Sequence, residues 1–359
     1  MLYGIDVSSY QKFTSYDLLN DSNLAFVFIK ASENLRQDPT YRIHNDAFAR
    51  TKLLKGAYHF LRFNHSGVEQ ANAFINSVGQ TLDPLDMPPV LDIEDISENI
   101  SVEETEKIAQ QWIDTVKAKY NVMPIIYTGA WYWKDPNRMN NTPRFKDCPL
   151  WVSSYTKSYP PAFGGWGQPA FWQYSGSGTI KGLMGDKAEI DLNLFLGDIN
   201  KLWSMLPNNK PSDYSKLGEK LFAVQYMLRK RVDSSLGIDG KWGPNTEVAL
   251  RKWQQAHGAH ENNSFDADQW QKLFELTATP SATELAAPSK VGTPVFPEPA
   301  VVTAELLNIR GGAGTTFPMI ASPLPKGKSV TVLEENNGWY KVKTQIEGWV
   351  SKQHIHLQN

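Results

Sequence analysis

Residues 89–95 (PVLDIED) end a short apolar run in two carboxyls, Asp92 and Glu94, separated by one residue. In an extended strand, residues i and i+2 project to the same face, about 6.5–7 Å apart along the chain. Two carboxyls converging at the end of a strand suit cleavage of a glycosidic bond. One of them must protonate the leaving oxygen, so its pKa has to be raised, as a neighbouring carboxylate in a partly dry pocket does. Asp6, in YGIDVS, ends another short apolar run, and Asp191, in EIDLN, follows the last strand the pattern predicts. Any one of these acids alone reads more readily as a helix cap or a solvated loop residue. All four meet only if their strands close into one sheet or barrel.

The elements needed for that closure are present in the pattern. Residues 25–31, 54–60, 89–93, 125–128, 150–153 and 170–174 read as buried strands, and 41–52, 68–78 and 102–120 as amphipathic helices. Alternation of this kind over about 200 residues predicts a mainly parallel sheet covered by helices and closed as a barrel. A chain of 359 residues is too long for one ordinary core. Two breaks divide it, a polar one at 207–216 and a Pro/Thr/Ala-rich one at 277–302 that carries Pro280, Pro288, Pro294, Pro297 and Pro299. Such segments bury too little apolar surface to offset their ordering entropy and read as linkers. The expected domains are therefore 1–206, 217–276 and 303–359. The middle one reads as a small α-helical bundle, with helices at 217–231 and 245–257 about a turn at Asp239-Gly240 and Gly243-Pro244. The last reads as a small antiparallel barrel, with strands at 306–310, 329–334, 339–343 and 348–350 and a turn at Asn337-Gly338.

Composition narrows the function classes. A net charge of -2 gives no reason to expect nucleic acid as a partner. The single cysteine, Cys148, excludes an intramolecular disulfide and reads as a small buried apolar residue. No apolar run reaches the length of a membrane span, so no insertion is expected. No Cys/His set has metal-ligand spacing, so neither a metal nor another cofactor is expected. The amino terminus lacks a basic start followed by an apolar stretch. The expectation is a protein made in the cytoplasm without a signal peptide and released to act outside, or one secreted with a leader absent from this chain. Aromatic residues make up 12% of the chain, including 12 Trp and 14 Tyr. Their flat faces suit sugar rings.

Residues 1–200 resemble glycoside hydrolase family 25 lysozymes along their whole length. The likeness is carried by YGIDVSSYQ (3–11), FVFIKASEN (26–34), DPTYRIHNDAFA (38–49), GAYHFLRF (56–63), PPVLDIED (88–95), PIIYTGAWYW (124–133), PLWVSSY (149–155), FWQYSGSG (171–178) and AEIDLNLF (188–195). The resemblance implies an irregular α/β, TIM-like barrel that cleaves the β-1,4 bond between N-acetylmuramic acid and N-acetylglucosamine. It implies Glu94 as general acid and Asp92 as the group that orients the substrate's acetamido group, with Asp6 and Asp191 lining the subsite and tuning Glu94. Whether the acetamido group or an Asp attacks the anomeric carbon stays open, the former being preferred. Glu33, Tyr58, Tyr127, Trp172 and Gln173 are expected at strand ends as substrate-binding residues, each with core packing as the alternative. His59, next to Tyr58, is expected to pack on the opposite face.

Residues 217–275 resemble a peptidoglycan-binding helical domain through VQYML, GIDGKWGPNTEVALRKWQQAHG and DADQWQKLF. Residues 303–357 resemble a bacterial SH3-like domain. The layout resembles a modular phage endolysin whose partner is bacterial peptidoglycan, with glycan strands at the barrel and stem peptides or crossbridges at the C-terminal modules. A bacterial autolysin of the same chemistry and a non-catalytic wall-binding protein are the alternatives.

Overall fold

The computed structural model describes residues 1–97, 100–156, 161–184, 189–207, 210–259, 261–276 and 298–357, the last without 315, 316, 318, 337, 338, 344–346 and 352–354. These fall into two compact units, divided between Pro288 and Ser289.

Among the described residues the first unit holds nine strands: β1 (Leu2–Val7), β2 (Leu24–Glu33), β3 (Arg36–Gln37), β4 (Leu54–Phe60), β5 (Val90–Asp92), β6 (Ile125–Gly129), β7 (Leu150–Ser153), β8 (Phe171–Gly178) and β9 (Ile190–Phe195). Their order is β1-β9-β8-β7-β6-β5-β4-β2, and pairing of β1 with β2 closes eight of them into a barrel, with β3 a short hairpin partner of β2. Strand β9 is antiparallel to both its neighbours, β8 and β1. All other barrel pairs are parallel. The barrel is irregular in its outer layer as well. Helices α1 (Tyr41–Ala49), α2 (Gly67–Val78) and α3 (Val102–Tyr120) cover one side. Helix α2 begins in a capping box between Ser66 and Glu69, and α3 in the Ser66-like cap of Ser101, which supply acceptors for first-turn N–H groups. After β6 stands only the four-residue α4 (Ala130–Trp133). There Trp133, Phe145 and Trp166 do what a helix does elsewhere, with ring centroids of Trp133 and Trp166 4.7 Å apart.

Period-two alternation decides which residues fill the barrel. Phe26, Phe28, Val90, Ile125, Trp151, Phe171 and Phe195 share one buried cluster inside its lower half, whereas Val27, Ile29, Leu91, Ile126, Val152 and Leu192 pack outward beneath the outer layer. Gly56 makes room for this filling: a Cβ there would lie 2.8 Å from the ring of Phe28. The lower barrel is therefore solid, and polar residues of the same strands are left at the upper, mainly C-terminal ends.

Helix α5 (Ile199–Ser204) leads to α6 (Leu221–Arg231), α7 (Pro244–Ala256) and α8 (Ala267–Phe274). The core of these helices, with Leu221, Leu228, Trp253 and Trp270, is continuous with the lower barrel through Ile199, Leu202, Leu206 and Tyr214. Tyr214 lies in the segment expected to be a linker, yet it is fully buried and its hydroxyl donates to Gln269 Oε1 at 2.8 Å. The buried Lys220 donates through Nζ to the carbonyls of Phe48 (3.0 Å), Thr51 (2.9 Å) and Leu53. Ion pairs Arg50–Glu219 (2.8 Å) and Lys230–Asp21 (2.6 Å) flank it. The helical module is docked on the barrel rather than strung from it. A polar, Pro-containing composition at 207–216 was compatible with a tether, but its one large aromatic finds a hydrophobic seat.

The second unit is an antiparallel sheet of β10 (Glu298–Val302), β11 (Leu306–Arg310), β12 (Met319–Pro325), β13 (Ser329–Asn336), β14 (Trp339–Lys343), β15 (Glu347–Ser351) and β16 (Ile355–Leu357) in the order β12-β11-β15-β14-β13-β10-β16. Ala300, Val302, Leu307, Ile309, Val332, Tyr340 and Val342 form its core. Strand β10 lies inside the stretch expected to be the second linker, because Ala300 and Val302 alternate inward. Residues 277–297 and the expected turn at 337–338 lie outside the described residues. No helix among the described residues is long and apolar enough to cross a membrane.

Candidate active site

The inward parity that plugs the lower barrel sends a second set of side chains to its mouth. Asp6 follows Leu2 and Gly4, Lys30 follows Phe26 and Phe28, Tyr58 follows Leu54 and Gly56, and Asp92 follows Val90. Beyond β5 the backbone stays extended. Ile93 N–H donates to Tyr127 O (2.9 Å), Thr128 Oγ1 donates to Ile93 O (2.7 Å) and Leu61 N–H to Asp92 O (3.0 Å). Glu94 is thereby held on the inward side with Asp92. From β9, which runs the other way, Asp191 comes to the mouth opposite Asp6 as its direct cross-strand partner. Asp6, Tyr58, Asp92, Glu94, Tyr127, Gln173 and Asp191 line one cavity of about 220 Å³, with Lys30, Tyr10 and Trp151. The mouth formed by strand C-termini is where such barrels carry their chemistry.

Hydrogen bonds fix the floor of the cavity. Asp6 Oδ2 accepts from Gln173 Nε2 (2.9 Å) and Asn193 Nδ2 (2.7 Å). Gln173 Oε1 accepts from the hydroxyls of Tyr127 and Tyr155, both at 2.9 Å. Trp151 Nε1 donates to Asn193 Oδ1 at 2.8 Å, which fixes the Asn193 amide so that its NH₂ faces Asp6. Asp92 is buried, and its Oδ1 has no hydrogen-bond partner among the described residues.

Four carboxyls in one partly dry cavity cannot all ionise at neutral pH. Burial, then repulsion by Asp6, lifts Glu94 to about 7, against the pull of Lys30. Burial and the adjacent Glu94 push Asp92 well above the usual carboxylate range. Burial and the charge of Asp6 raise Asp191 to about 9. Burial also raises Asp6, while hydrogen bonds from Asn193, Gln173 and Asp191 pull it back. The proton of the Asp6–Asp191 pair therefore belongs on Asp191, which donates it to Asp6. A carboxyl poised near 7 beside a second buried carboxyl is a combination able to give and retake a proton.

Two expected site residues lie outside this cavity. Trp172 is adjacent to Gln173 in β8, so it faces the outer layer. It is buried there, and its Nε1 donates to Ser154 O at 2.7 Å. Glu33 is carried past the barrel mouth by the end of β2, where its carboxylate accepts from Lys30 Nζ (2.6 Å) and Arg62 Nη2 (2.6 Å). Burial works to raise its pKa, but these two cations hold it below the usual range. Asp191, expected after the last strand, belongs to β9 itself. Sequence reasoning missed Lys30, Asn193 and Tyr155. Lys30 was accessible to it, being the polar residue in register with Phe26 and Phe28. His59 is fully buried on the outward face, held by Ser32 (2.8 Å) and Gln70 (3.2 Å), and burial lowers its pKa to about 4. Burial raises the Cys148 thiol to about 12. No cluster of His, Cys, Asp or Glu among the described residues is placed to hold a metal ion.

Paired carboxyls at the mouth of a closed barrel, one of them poised as an acid near neutrality, define a glycoside hydrolase. Residues 5–183 match the family described as glycosyl hydrolases family 25, and residues 305–356 match the bacterial SH3 domain. The chain is 32% identical over 214 residues to lysozyme M1 of Streptomyces globisporus, covering 57% of this chain and 71% of that one. It is 28% identical over 257 residues to the autolytic lysozyme of Clostridium acetobutylicum, covering 71% of this chain and 73% of that one. Among solved structures it is similar to the bacterial lysozyme of Streptomyces coelicolor, with a TM-score of 0.54 and 28% identity over 58% of this chain and 98% of that one. The chain belongs to glycosyl hydrolase family 25 and is an enzyme of the lysozyme, or muramidase, class.

Proposed function

We propose that the enzyme cleaves the β-1,4 bond from N-acetylmuramic acid to N-acetylglucosamine with retention of configuration, using the substrate's own acetamido group as nucleophile. Glu94 gives its proton to the glycosidic oxygen as that bond breaks. The acetamido carbonyl oxygen bonds to the anomeric carbon from the opposite face, and Asp92, the ionised partner of the pair while Glu94 holds the proton, accepts the acetamido N–H whose positive charge develops. Glu94, now ionised, then takes a proton from water, whose oxygen attacks the anomeric carbon and reopens the ring. Asp6 and Asp191, sharing one proton, help keep Glu94 protonated until the leaving oxygen arrives. The observation that carries this reading is the buried Asp92 Oδ1, an acceptor without a partner among the described residues, beside a Glu94 poised at about 7. An orphaned buried acceptor costs about 1–3 kcal/mol, which an acetamido N–H would relieve.

The product anomer tests it. Proton NMR in the first minutes of hydrolysis should show the β-anomer of the new reducing muramyl end. Initial α-anomer would mean direct attack by water and would remove the acetamido step.

In the cell we propose a lytic role of the endolysin type, acting on the wall of the bacterium that makes it, with the helical and SH3 modules as wall-binding parts. What supports this is the joining of one catalytic barrel to two small accessory modules. An exported autolysin is the second reading, favoured by the likeness to the autolytic lysozyme over 257 residues. Synthesised inside a susceptible cell, an endolysin should lyse it only once the inner membrane is permeabilised, whereas lysis without that step would favour export.

A further inference from the structure

A second groove, of about 540 Å³, adjoins the catalytic cavity and shares Tyr10 and Lys30 with it. It lies over the hairpin of β2 and β3, whose turn is made by Asn34 in the left-handed region (φ 54°) and places Glu33 opposite Arg36. Its charges are mostly committed. Lys30 and Arg62 hold Glu33, and Arg62 also holds Asp95 at 2.7 Å. Asp38 accepts from Ser9 N–H (3.3 Å), Thr40 N–H (2.9 Å) and Thr40 Oγ1 (2.8 Å). Arg36 differs: it is exposed, and its guanidinium has no ion-pair or hydrogen-bond partner among the described residues. The groove thus presents one uncommitted cation on a short, hydrogen-bonded hairpin, next to the cavity that takes the sugar.

We propose that this groove is the subsite for the stem peptide of the muramyl residue, with Arg36 meeting a peptide carboxylate. The proposal rests on the muramidase reading and deepens it. A muramyl ring seated over Asp92 and Glu94 carries a lactyl-linked peptide, and the groove that shares Tyr10 and Lys30 with the cavity lies directly beside it. The adjoining groove is more than twice as large, polar along its walls, and reached past Lys30. A guanidinium suits a carboxylate because its planar donors match the two oxygens. The subsite would make the enzyme favour strands whose stems are present and carry free carboxylates.

The test compares Arg36→Glu, Arg36→Ala and Arg36→Lys with wild type on strands freed of phosphate polymers, in three forms: stems intact, stems removed by an amidase, and stem carboxylates amidated. Release of reducing ends gives kcat/KM. The Arg36→Glu loss on intact stems should exceed its loss on the other two forms by about tenfold, with Arg36→Ala intermediate and Arg36→Lys restoring most of the difference. Equal losses on all three forms, or no loss on intact stems, would overturn the proposal. So would a loss that appears only on strands still carrying their phosphate polymers, which would give Arg36 to a phosphate. Failure of wild type to release reducing ends from any form would refute the muramidase reading instead, a result separable from all of these.

Discussion

Glu94→Gln removes the acid and keeps the side chain's shape, and the structure predicts two linked consequences. The first is loss of turnover, since a positioned general acid contributes about 10²–10⁴-fold. The second concerns stability. Folding lifts Glu94 from an ordinary 4.5 to about 7, chiefly by burial. Between those values the native state binds a proton that the unfolded chain releases. The wild type therefore loses stability as pH rises through this window. The full step corresponds to about 3 kcal/mol at roughly 1.4 kcal/mol per decade. Asp92 shares the same buried site, so a net effect of about 1–3 kcal/mol is expected. Glutamine does not titrate. The stability difference between variant and wild type should be near zero at about pH 4 and should grow in the variant's favour by about 1–3 kcal/mol at about pH 8. Urea unfolding at the two pH values measures it, alongside release of reducing ends from soluble glycan. A difference that stays flat with pH, or that grows in favour of the wild type, would refute the claim that Glu94 is held protonated by its surroundings. Retained turnover would refute its role as the acid.

Two further predictions concern the accessory modules. Lys220→Met deprives the Phe48, Thr51 and Leu53 carbonyls of a buried donor. It should destabilise the first unit by about 2–3 kcal/mol in denaturant unfolding, and a change below about 0.5 kcal/mol would show that Lys220 does not hold the helices to the barrel. Deleting residues 289–359 removes the second unit. It should lower activity on whole walls by about tenfold or more through lost local concentration while leaving cleavage of soluble fragments within about twofold, and equal losses on both would exclude an anchoring role.

Much of the site was legible because strand parity is local. Once the strand at 89–93 is accepted, Asp92 and Glu94 must share a face, and the rest of the barrel follows the same count. Applied strictly, that count also excludes Trp172, because it cannot share a face with its neighbour Gln173. The helices at 68–78 and 102–120 were equally readable from their apolar spacing. What could not be read is non-local. The pairing of Asp6 with Asp191 depends on β9 running antiparallel between β1 and β8, which no short-range pattern specifies. Glu33 lies outside the catalytic cavity because β2 has a register shift between Lys30 and Ser32 and runs on beyond the mouth. The burial of Tyr214 depends on a docking surface that only the folded barrel creates.

The bond that the enzyme breaks is the most direct test of its activity. Mass spectrometry of the products from purified peptidoglycan should show new reducing ends on N-acetylmuramic acid with wild type and almost none with Glu94→Gln. Reducing ends on N-acetylglucosamine, free peptides, or equal products from the Glu94→Gln variant would contradict it.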